Sequence, residues 1–396
     1  METDFSAKGP SLGYYFQIRY GLHLLLKHDG SDESSLFFET LDDIQILELN
    51  QNDLYQTKFH INNSVNLTDR STDLWKTLRV WAESIKNGNI KLSESNFTLI
   101  TTAKCSPESV FGRLRAETID TDTAVKEMLG ICKEISNQNN LDGYSAFSAL
   151  SQYEQKELIE RIVILDSSIN FEGLEEKIKK SLRFSVNREN MDSLFERLEG
   201  WWFGSSINQL NSEEIKIINL GTLRNKIIDI TSKMTSDNLP IDFDSKINIS
   251  ETEFIDFSDK RFVKELAGIG INKSSLKNAI SDYLRTFKQR SKWIRENLLD
   301  PEDEHKYEHK LHQEWETKFD FLEDLIDGKN DEEILEIGKS FYKKFYSENL
   351  PQIYIRPKVT DSFLVRGSYQ ILSDNEKIGF NPNFKNRIEN GNTYLG

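Results

Sequence analysis

The stretch that decides the predicted fold is Asp53-Leu54-Tyr55-Gln56-Thr57-Lys58-Phe59-His60. Side chains alternate between the two faces of a β-strand, so Gln56 and Lys58 point to one side and Thr57 to the other. The amide and the ammonium group would lie about 7 Å apart along one edge. A carboxylate on a neighbouring strand would complete a cation site, and Asp42-Asp43 precedes such a strand. The pattern predicts a metal site for phosphodiester hydrolysis.

Helix and strand patterns flank this stretch on both sides. Apolar residues recur at helical spacing between Ser11 and Lys27 and again between Thr72 and Lys86. Short apolar or alternating runs predict strands, and a polar turn leads from the second strand into the third. The predicted order is therefore αβββαβ. The strands are expected at 36–40, 43–49, 53–60 and 97–102.

This order, with an acid opening the second strand and x-x-Lys on the third, resembles the PD-(D/E)xK restriction-endonuclease-like family. It is most similar to the Q-x-K branch, which arms several bacterial antiphage systems. The likeness covers about the first half of the chain. Four segments carry it: Gly13 to Gln17, Glu39 to Ile44, Gln56 to Lys58, and Leu74 to Trp81.

The resemblance implies a Mg²⁺-dependent endonuclease, with Mn²⁺ as the alternative cofactor. Asp43 would be the principal carboxylate ligand, Gln56 would offer its amide oxygen, and Glu39 would bind the metal directly or through water. Lys58 would orient or help deprotonate the attacking water and stabilise the developing negative charge. Two further residues are candidates for supporting the site: Gln17 on the first helix, and Asp42.

Each of these residues also has an ordinary structural interpretation. Asp42 and Asp43 suit a turn between strands. Gln17 would then serve helix–sheet contacts, and Lys58 would extend from the sheet beside its aromatic neighbours. Glu39 is harder to explain in this way, because a carboxylate at the end of an apolar strand is costly unless it is paired or coordinated. One metal site accounts for all of them together.

A second resemblance lies near the end of the chain. Its residues include Arg290 to Asn297, Val365 to Leu372 and Gly379-Phe380-Asn381-Pro382. They resemble the C-terminal region of ABC-three-component defence proteins of the Lamassu type, in which a nuclease subunit works beside an SMC-like ATPase. The last motif in such proteins often reads Gly-Trp-His-Pro. Roles that depend on that Trp or His therefore do not carry over to Phe380 and Asn381.

Together the resemblances imply a DNA endonuclease effector of an antiphage or antiplasmid system. Its partners would be double-stranded DNA, an SMC-like ABC ATPase that restrains it, and a small accessory subunit. Release and self-association into a homo-oligomer would activate it, since cutting both strands takes two sites. The sequence contains no P-loop, so a partner would supply ATP hydrolysis. A non-catalytic scaffold with a degenerate nuclease fold is the alternative, which the neutral Gln56 keeps open.

Length and composition set the domain organisation. A chain of 396 residues is expected to form two or three domains. We predict an α+β protein with a nuclease domain at 1–200, whose restriction-endonuclease-like core covers about 8–105 and is followed by a helical extension. A mainly helical domain at 201–396 would bind partners or mediate oligomerisation. This second domain would end in a β-hairpin at 361–384.

Charge and apolar patterning constrain the setting of the protein. A net charge of −15 argues against strong DNA binding by the chain alone, so we expect assembly or a basic partner to bring DNA to the site. No apolar run approaches the ~20 residues that a membrane helix requires, and the N-terminus lacks a signal-peptide pattern. With only Cys105 and Cys132, a disulfide framework is excluded. These features predict a cytoplasmic protein without a membrane segment.

Two other patterns have alternative interpretations. The pair Trp201-Trp202 fits core packing or, less commonly, a base-stacking platform. The basic stretch from Lys288 to Arg295 fits contact with a partner or DNA, or a solvated face paired with nearby acids.

Overall fold

A computed structural model describes most of the chain as two compact units. The first unit comprises Met1–Asn187 and Met191–Asp229, and the second comprises Arg188–Asn190 and Ile230–Gly396. The predicted domain boundary at residue 200 lies within a helix of the first unit. The described residues are 8–60, 66–114, 120–134, 137–212, 216–348, 350 and 352–384.

The first unit combines helices with a sheet, as the α+β prediction requires. Its strands are β1 (Ser35–Phe38), β2 (Ile44–Glu48), β3 (Gln51–Lys58), β4 (Asn66–Leu67), β5 (Ser95–Thr101), β6 (Lys104–Cys105), β7 (Ile162–Leu165) and β8 (Ile218–Asn219). Its helices are α1 (Lys8–Lys27), α2 (Thr72–Lys86), α3 (Val110–Arg113), α4 (Thr121–Ile131), α5 (Leu141–Ser148), α6 (Gln152–Arg161), α7 (Phe171–Ser181) and α8 (Met191–Leu210); α9 (Leu220–Thr231) crosses the boundary.

A six-stranded mixed sheet in the order β7-β5-β3-β2-β1-β8 forms the centre of the first unit. β1, β2 and β3 pair antiparallel, whereas β3, β5 and β7 are parallel to one another. In this register Gln56 lies beside Leu99 and Lys58 beside Thr101. Because the carboxyl ends of parallel strands meet at one edge, the predicted site residues of β3 lie at an edge shared by three strands.

Aromatic side chains fix helices to both faces of the sheet. The ring of Phe59, just beyond β3, lies 5.1 Å from Phe16 of α1 and 5.1 Å from Phe171 of α7. On the other face, Trp81 of α2 packs 5.2 Å from Phe97 of β5. Such rings each contribute about 1.5–3 kcal/mol when fully buried. The sheet is thus held between two helical layers.

Helix α8 also belongs to the first unit. Its Trp202 is buried and donates a hydrogen bond from Nε1 to the carbonyl of Ile18 at 2.7 Å. Gln209 of the same helix accepts from the amide of Phe38 and donates to the carbonyl of Leu36. Trp202 is therefore a core residue, in agreement with the packing interpretation of the tryptophan pair.

The second unit is helical throughout its described elements. Among the described residues of the whole chain, no helix is both long enough and apolar enough to span a membrane. The helices of this unit are α10 (Glu251–Phe257), α11 (Arg261–Gly268), α12 (Lys273–Arg295), α13 (Pro301–Asp320), α14 (Glu323–Ile326), α15 (Asp331–Lys343), which continues into a π-helical turn at Lys344–Glu348, and α16 (Ser362–Asp374).

The prediction of a β-hairpin at 361–384 is wrong, because the first half of this segment is the helix α16. Buried Leu364, Ser368 and Leu372 recur every four residues, which suits one face of a helix. That face packs closely on α12: a Cβ at Gly367 would lie 2.2 Å from the carbonyl oxygen of Asp282. The periodicity of a short apolar run does not distinguish a helix from a strand. Here the packing against α12 favours the helix.

The segment after α16 is anchored on a buried carboxylate. Glu265 of α11 accepts hydrogen bonds from the amides of Phe380 and Asn381 and from the hydroxyl of Ser373. Trp315 donates from Nε1 to the carbonyl of Gly379 at 2.8 Å. The Gly379-Phe380-Asn381-Pro382 motif therefore has a structural role within this unit.

Candidate functional site

The predicted site residues of β3 have no internal hydrogen-bonding role for their side chains. Gln56 is only 5% exposed, yet its amide has no hydrogen-bond partner among the described residues. The ammonium group of the half-buried Lys58 likewise lacks an ion-pair or hydrogen-bond partner in that part of the chain. Polar groups without a partner in the described structure are available to water or to a ligand.

Asp43 reaches β3 at the residue between these two side chains. Its Oδ2 accepts hydrogen bonds from the Thr57 amide at 2.8 Å and from the Thr57 hydroxyl at 2.9 Å. The Thr57 side chain points away from the face that carries Gln56 and Lys58, as alternation in a strand requires. Asp43 therefore lies at the plane of the sheet, on the side of Thr57.

Gln17 bonds to two of the other predicted residues. Its Nε2 donates to Glu39 Oε1 at 2.9 Å and to the backbone oxygen of Asp43 at 2.6 Å. Glu39 is exposed and has a φ of 52°, a left-handed conformation that is uncommon outside glycine. These contacts place Gln17 next to both Glu39 and Asp43, and they fix the bend of the backbone between those two residues.

Asp42 and Asp43 diverge although they are neighbours in sequence. Asp42 is buried and accepts a hydrogen bond from Trp81 Nε1 at 2.5 Å and another from the amide of Asp43. Burial raises the pKa of Asp42 to about 7, the Trp81 hydrogen bond opposes the shift, and the charge of Lys58 also lowers it. Asp42 is thus an acid that interacts electrostatically with Lys58. The sequence predicted only a supporting role for Asp42.

Two residues at this edge were not predicted. Nε2 of His60, which follows Lys58 by two residues, lies 3.1 Å from Oδ2 of Asp73 in the first turn of α2. The interaction with His60 lowers the pKa of Asp73, and the positive charge of Lys58 acts in the same direction. His60 shares the Lys58 face in the strand pattern, which was the available signal.

The side chains at this edge offer few ligands for a divalent cation. Within the described residues, no group of three or more His, Cys, Asp or Glu side chains is placed to hold a metal ion. Asp43 and Gln56 offer carboxylate and amide oxygens, the ligand types that Mg²⁺ accepts. Mg²⁺ commonly keeps several waters and uses one or two carboxylates. The ligand types therefore suit a largely hydrated Mg²⁺, but Asp43 lies on the Thr57 side of the sheet and Gln56 on the other, so the two do not form a preformed cage.

The basic stretch of α12 is committed to internal ion pairs. Arg290 is buried and binds Glu304 at 2.7 Å and Glu308 at 2.5 Å. Lys292 lies 3.1 Å from Asp242. These contacts agree with the paired-face interpretation and leave Arg290 unavailable to DNA.

Comparison with known proteins gives one family match. Residues 262–388 match the model of C-terminal domain 7 of the ABC-three component systems. A search of curated protein sequences found no match.

Solved structures show only a distant likeness. The Cap4 SAVED/CARF-domain containing receptor of Moraxella osloensis has 13% identity and a TM-score of 0.36, with 70% of this chain and 68% of that chain covered. The receptor of Acinetobacter baumannii has 16% identity and a TM-score of 0.36, with 72% of this chain and 61% of that chain covered. A likeness at this level carries no argument about function. About a third of the chain, residues 262–388, is thus similar to a C-terminal domain of the ABC-three component systems.

Proposed function

We propose that this chain is a Mg²⁺-dependent DNA endonuclease, also active with Mn²⁺, and that it is the effector of its ABC-three-component system. The observation that carries the proposal is the pair of polar groups of Gln56 and Lys58 at the carboxyl end of β3, which have no partner among the described residues, with Asp43 bonded to the intervening Thr57. On this proposal the sheet with α1 and α2 is a restriction-endonuclease-like core.

The side chains would divide the work of hydrolysis. For Asp43 and Gln56 to hold one cation, the Asp43 carboxylate would have to turn from Thr57 toward the Gln56 face. Gln17 would keep Glu39 next to Asp43 through its hydrogen bonds to both residues. A bound Mg²⁺ supplies Lewis acidity toward the phosphate and toward a water. Lys58 would orient that water and stabilise negative charge on the phosphoryl oxygens, which is the largest contribution that a fixed cation makes in such sites. Asp42 would position Lys58 through their electrostatic interaction.

The proposed partners follow from the family and from the charge of the chain. ABC-three-component systems involve an ABC ATPase, which we propose is SMC-like and restrains the nuclease together with a small accessory subunit. A chain with a net charge of −15 binds DNA poorly by itself. Self-association would place two sites on one duplex and would also raise its affinity for DNA through multivalency.

Plasmid cleavage tests the proposal. Supercoiled plasmid is incubated with the purified full chain and Mg²⁺, and the Lys58→Ala variant is compared with Lys76→Ala, which removes an exposed lysine of α2. We expect Lys58→Ala to lower the cleavage rate by about 100-fold or more, as loss of a transition-state contact does, and Lys76→Ala to retain activity. Equal background in all three proteins, with and without Mg²⁺, would rule out the nuclease.

The absence of a three-carboxylate cluster among the described residues favours a second candidate, a non-catalytic scaffold. Asp42 and Asp43 already have protein hydrogen-bond donors, so the fold does not depend on a cation. In that case the chain would assemble with the ATPase but would not cleave DNA. Co-purification with the ATPase that survives Lys58→Ala, together with inactive wild-type protein, identifies the scaffold.

A further inference from the structure

A cavity of about 430 Å³ lies in the second unit, within the segment that matches the family model. Its walls are the turn before α12, the first two turns of α12, and the end of α15 with the π-helical turn that follows. We call it the lysine pocket. Its volume is in the range of small-molecule sites, and π-helical turns occur frequently at functional sites.

Two lysines line the lysine pocket, and Lys343 already has an interaction partner within the protein. Lys339 and Lys343 are four residues apart on α15, so they project from the same side of that helix. Lys339 Nζ lies 3.1 Å from Glu336 Oε1, whose side chain is 70% exposed. An exposed pair of this kind contributes little, so Lys339 can exchange Glu336 for a more strongly charged ligand.

The opposite wall supplies neutral hydrogen-bonding groups. Ser275 and Asn278 are three residues apart on α12 and both line the pocket. In the part of the chain that the structure describes, neither side chain has a hydrogen-bond partner. Gly270 in the preceding turn has a φ of +78°, and a Cβ there would come within 3.8 Å of Lys339 Nζ. Glycine thus permits the turn and leaves room next to the lysine.

The third wall is aromatic and rigid. Tyr342 and Tyr346 stack with their ring centroids 5.0 Å apart. The Tyr346 hydroxyl donates to Asp282 Oδ2 at 2.6 Å, and Arg366 donates to the same oxygen. Arg285 lies 3.5 Å from the other oxygen of Asp282. This acid is therefore neutralised by two arginines and does not cancel the charge of the lysines.

We propose that the lysine pocket binds a phosphate-bearing small molecule of nucleotide size. The two lysines would bind phosphate as point charges, Ser275 and Asn278 would hydrogen-bond the ligand, and the tyrosine wall would contact its apolar part. This local positive charge runs against the −15 of the whole chain. The proposal does not depend on the nuclease activity.

Calorimetric titration of the full chain with ATP and with inorganic pyrophosphate tests it. We expect saturable binding of at least one probe, weakened about tenfold or more in a Lys339→Gln/Lys343→Gln variant, a change of about 1.4 kcal/mol or more. Asn278→Ala should weaken it several-fold. Lys288→Gln, an exposed lysine of α12 outside the pocket, is the matched control and should bind as wild type.

A gain-of-affinity variant guards against misfolding in the loss variants. Glu336→Gln removes the carboxylate that competes for Lys339, so it should tighten binding about two- to threefold. The proposal is overturned if neither probe binds saturably, or if the pocket variants and Lys288→Gln bind equally. It is also overturned if a polyglutamate peptide displaces the probe at lower concentration than ATP, because the pocket would then recognise an acidic protein segment.

Discussion

Lys58 in the first unit and Arg290 in the second are both basic side chains withdrawn from solvent, but their surroundings differ. Arg290 has carboxylates at 2.7 and 2.5 Å. Lys58 has no such partner among the described residues and acts only at longer range on Asp42 and Asp73. A buried charge with partners is explained by the fold, whereas a half-buried charge without a partner among the described residues is not. The contrast separates a structural group from a candidate catalytic one.

The largest expected effect is on stability, after substitution of Arg290. Arg290→Met leaves Glu304 and Glu308 partly buried without their guanidinium, which should lower the free energy of unfolding of the second unit by about 3–5 kcal/mol. Urea denaturation followed by tryptophan fluorescence measures it. Lys288→Met is the control, within about 0.5 kcal/mol of wild type. A loss below about 1 kcal/mol would show that the arginine is not structural.

The pH dependence of stability tests the ion pair between Glu308 and Arg290. Burial raises its pKa, but the hydrogen bond and charge of Arg290, and then those of Lys377, outweigh burial and lower it. A lowered folded-state pKa stabilises the fold above the unfolded-state value and loses that contribution as pH falls. At pH 7 Glu308→Gln should therefore cost about 1.5–3 kcal/mol. The cost, measured by urea denaturation at several pH values, should shrink below pH 4.5; a pH-independent cost would contradict this assignment.

Gln56→Glu tests the functional side. A carboxylate in place of the amide adds a charged ligand, so the Mg²⁺ concentration for half-maximal plasmid cleavage should fall about tenfold. The rate is followed as Mg²⁺ is titrated. Gln51→Glu, at an exposed position of β3, should leave the Mg²⁺ requirement unchanged. An unaltered requirement in Gln56→Glu would remove Gln56 from the proposed metal site.

The smallest expected effect completes the comparison. Because Lys58 has no close partner in the described structure, Lys58→Met should change the free energy of unfolding by no more than about 0.5 kcal/mol. Urea denaturation beside Lys76→Met measures this. A loss above about 1 kcal/mol would mean that Lys58 stabilises the fold, and its unpaired state would no longer indicate function.

Local patterns predicted the local elements well. The apolar spacing of α2 predicted Thr72–Lys86, the bounds that are observed. Alternation placed Gln56 and Lys58 on one face of β3, where the buried Leu54 also lies. In both cases neighbours in sequence are neighbours in space, so a periodicity suffices.

The position of the acids was not predictable in this way. The bend from Glu39 to Asp43 is not a strand, and Glu39 takes a positive φ, so alternation does not apply there. Trp81, which donates a hydrogen bond to Asp42, comes 39 residues later in the sequence. The position of each carboxylate depends on a hydrogen-bond donor from another helix or strand.

The sequence by itself determined the mixed α+β character, the strand that carries Gln56 and Lys58, and the amphipathic helix α2. These follow from local steric preferences and from hydrophobic periodicity. Tertiary structure alone decided that Asp42 binds Trp81, that Asp43 binds Thr57, and that 362–374 is a helix. Each of these depends on a partner that is distant in sequence, because buried polar and apolar groups take the conformation that their neighbours satisfy.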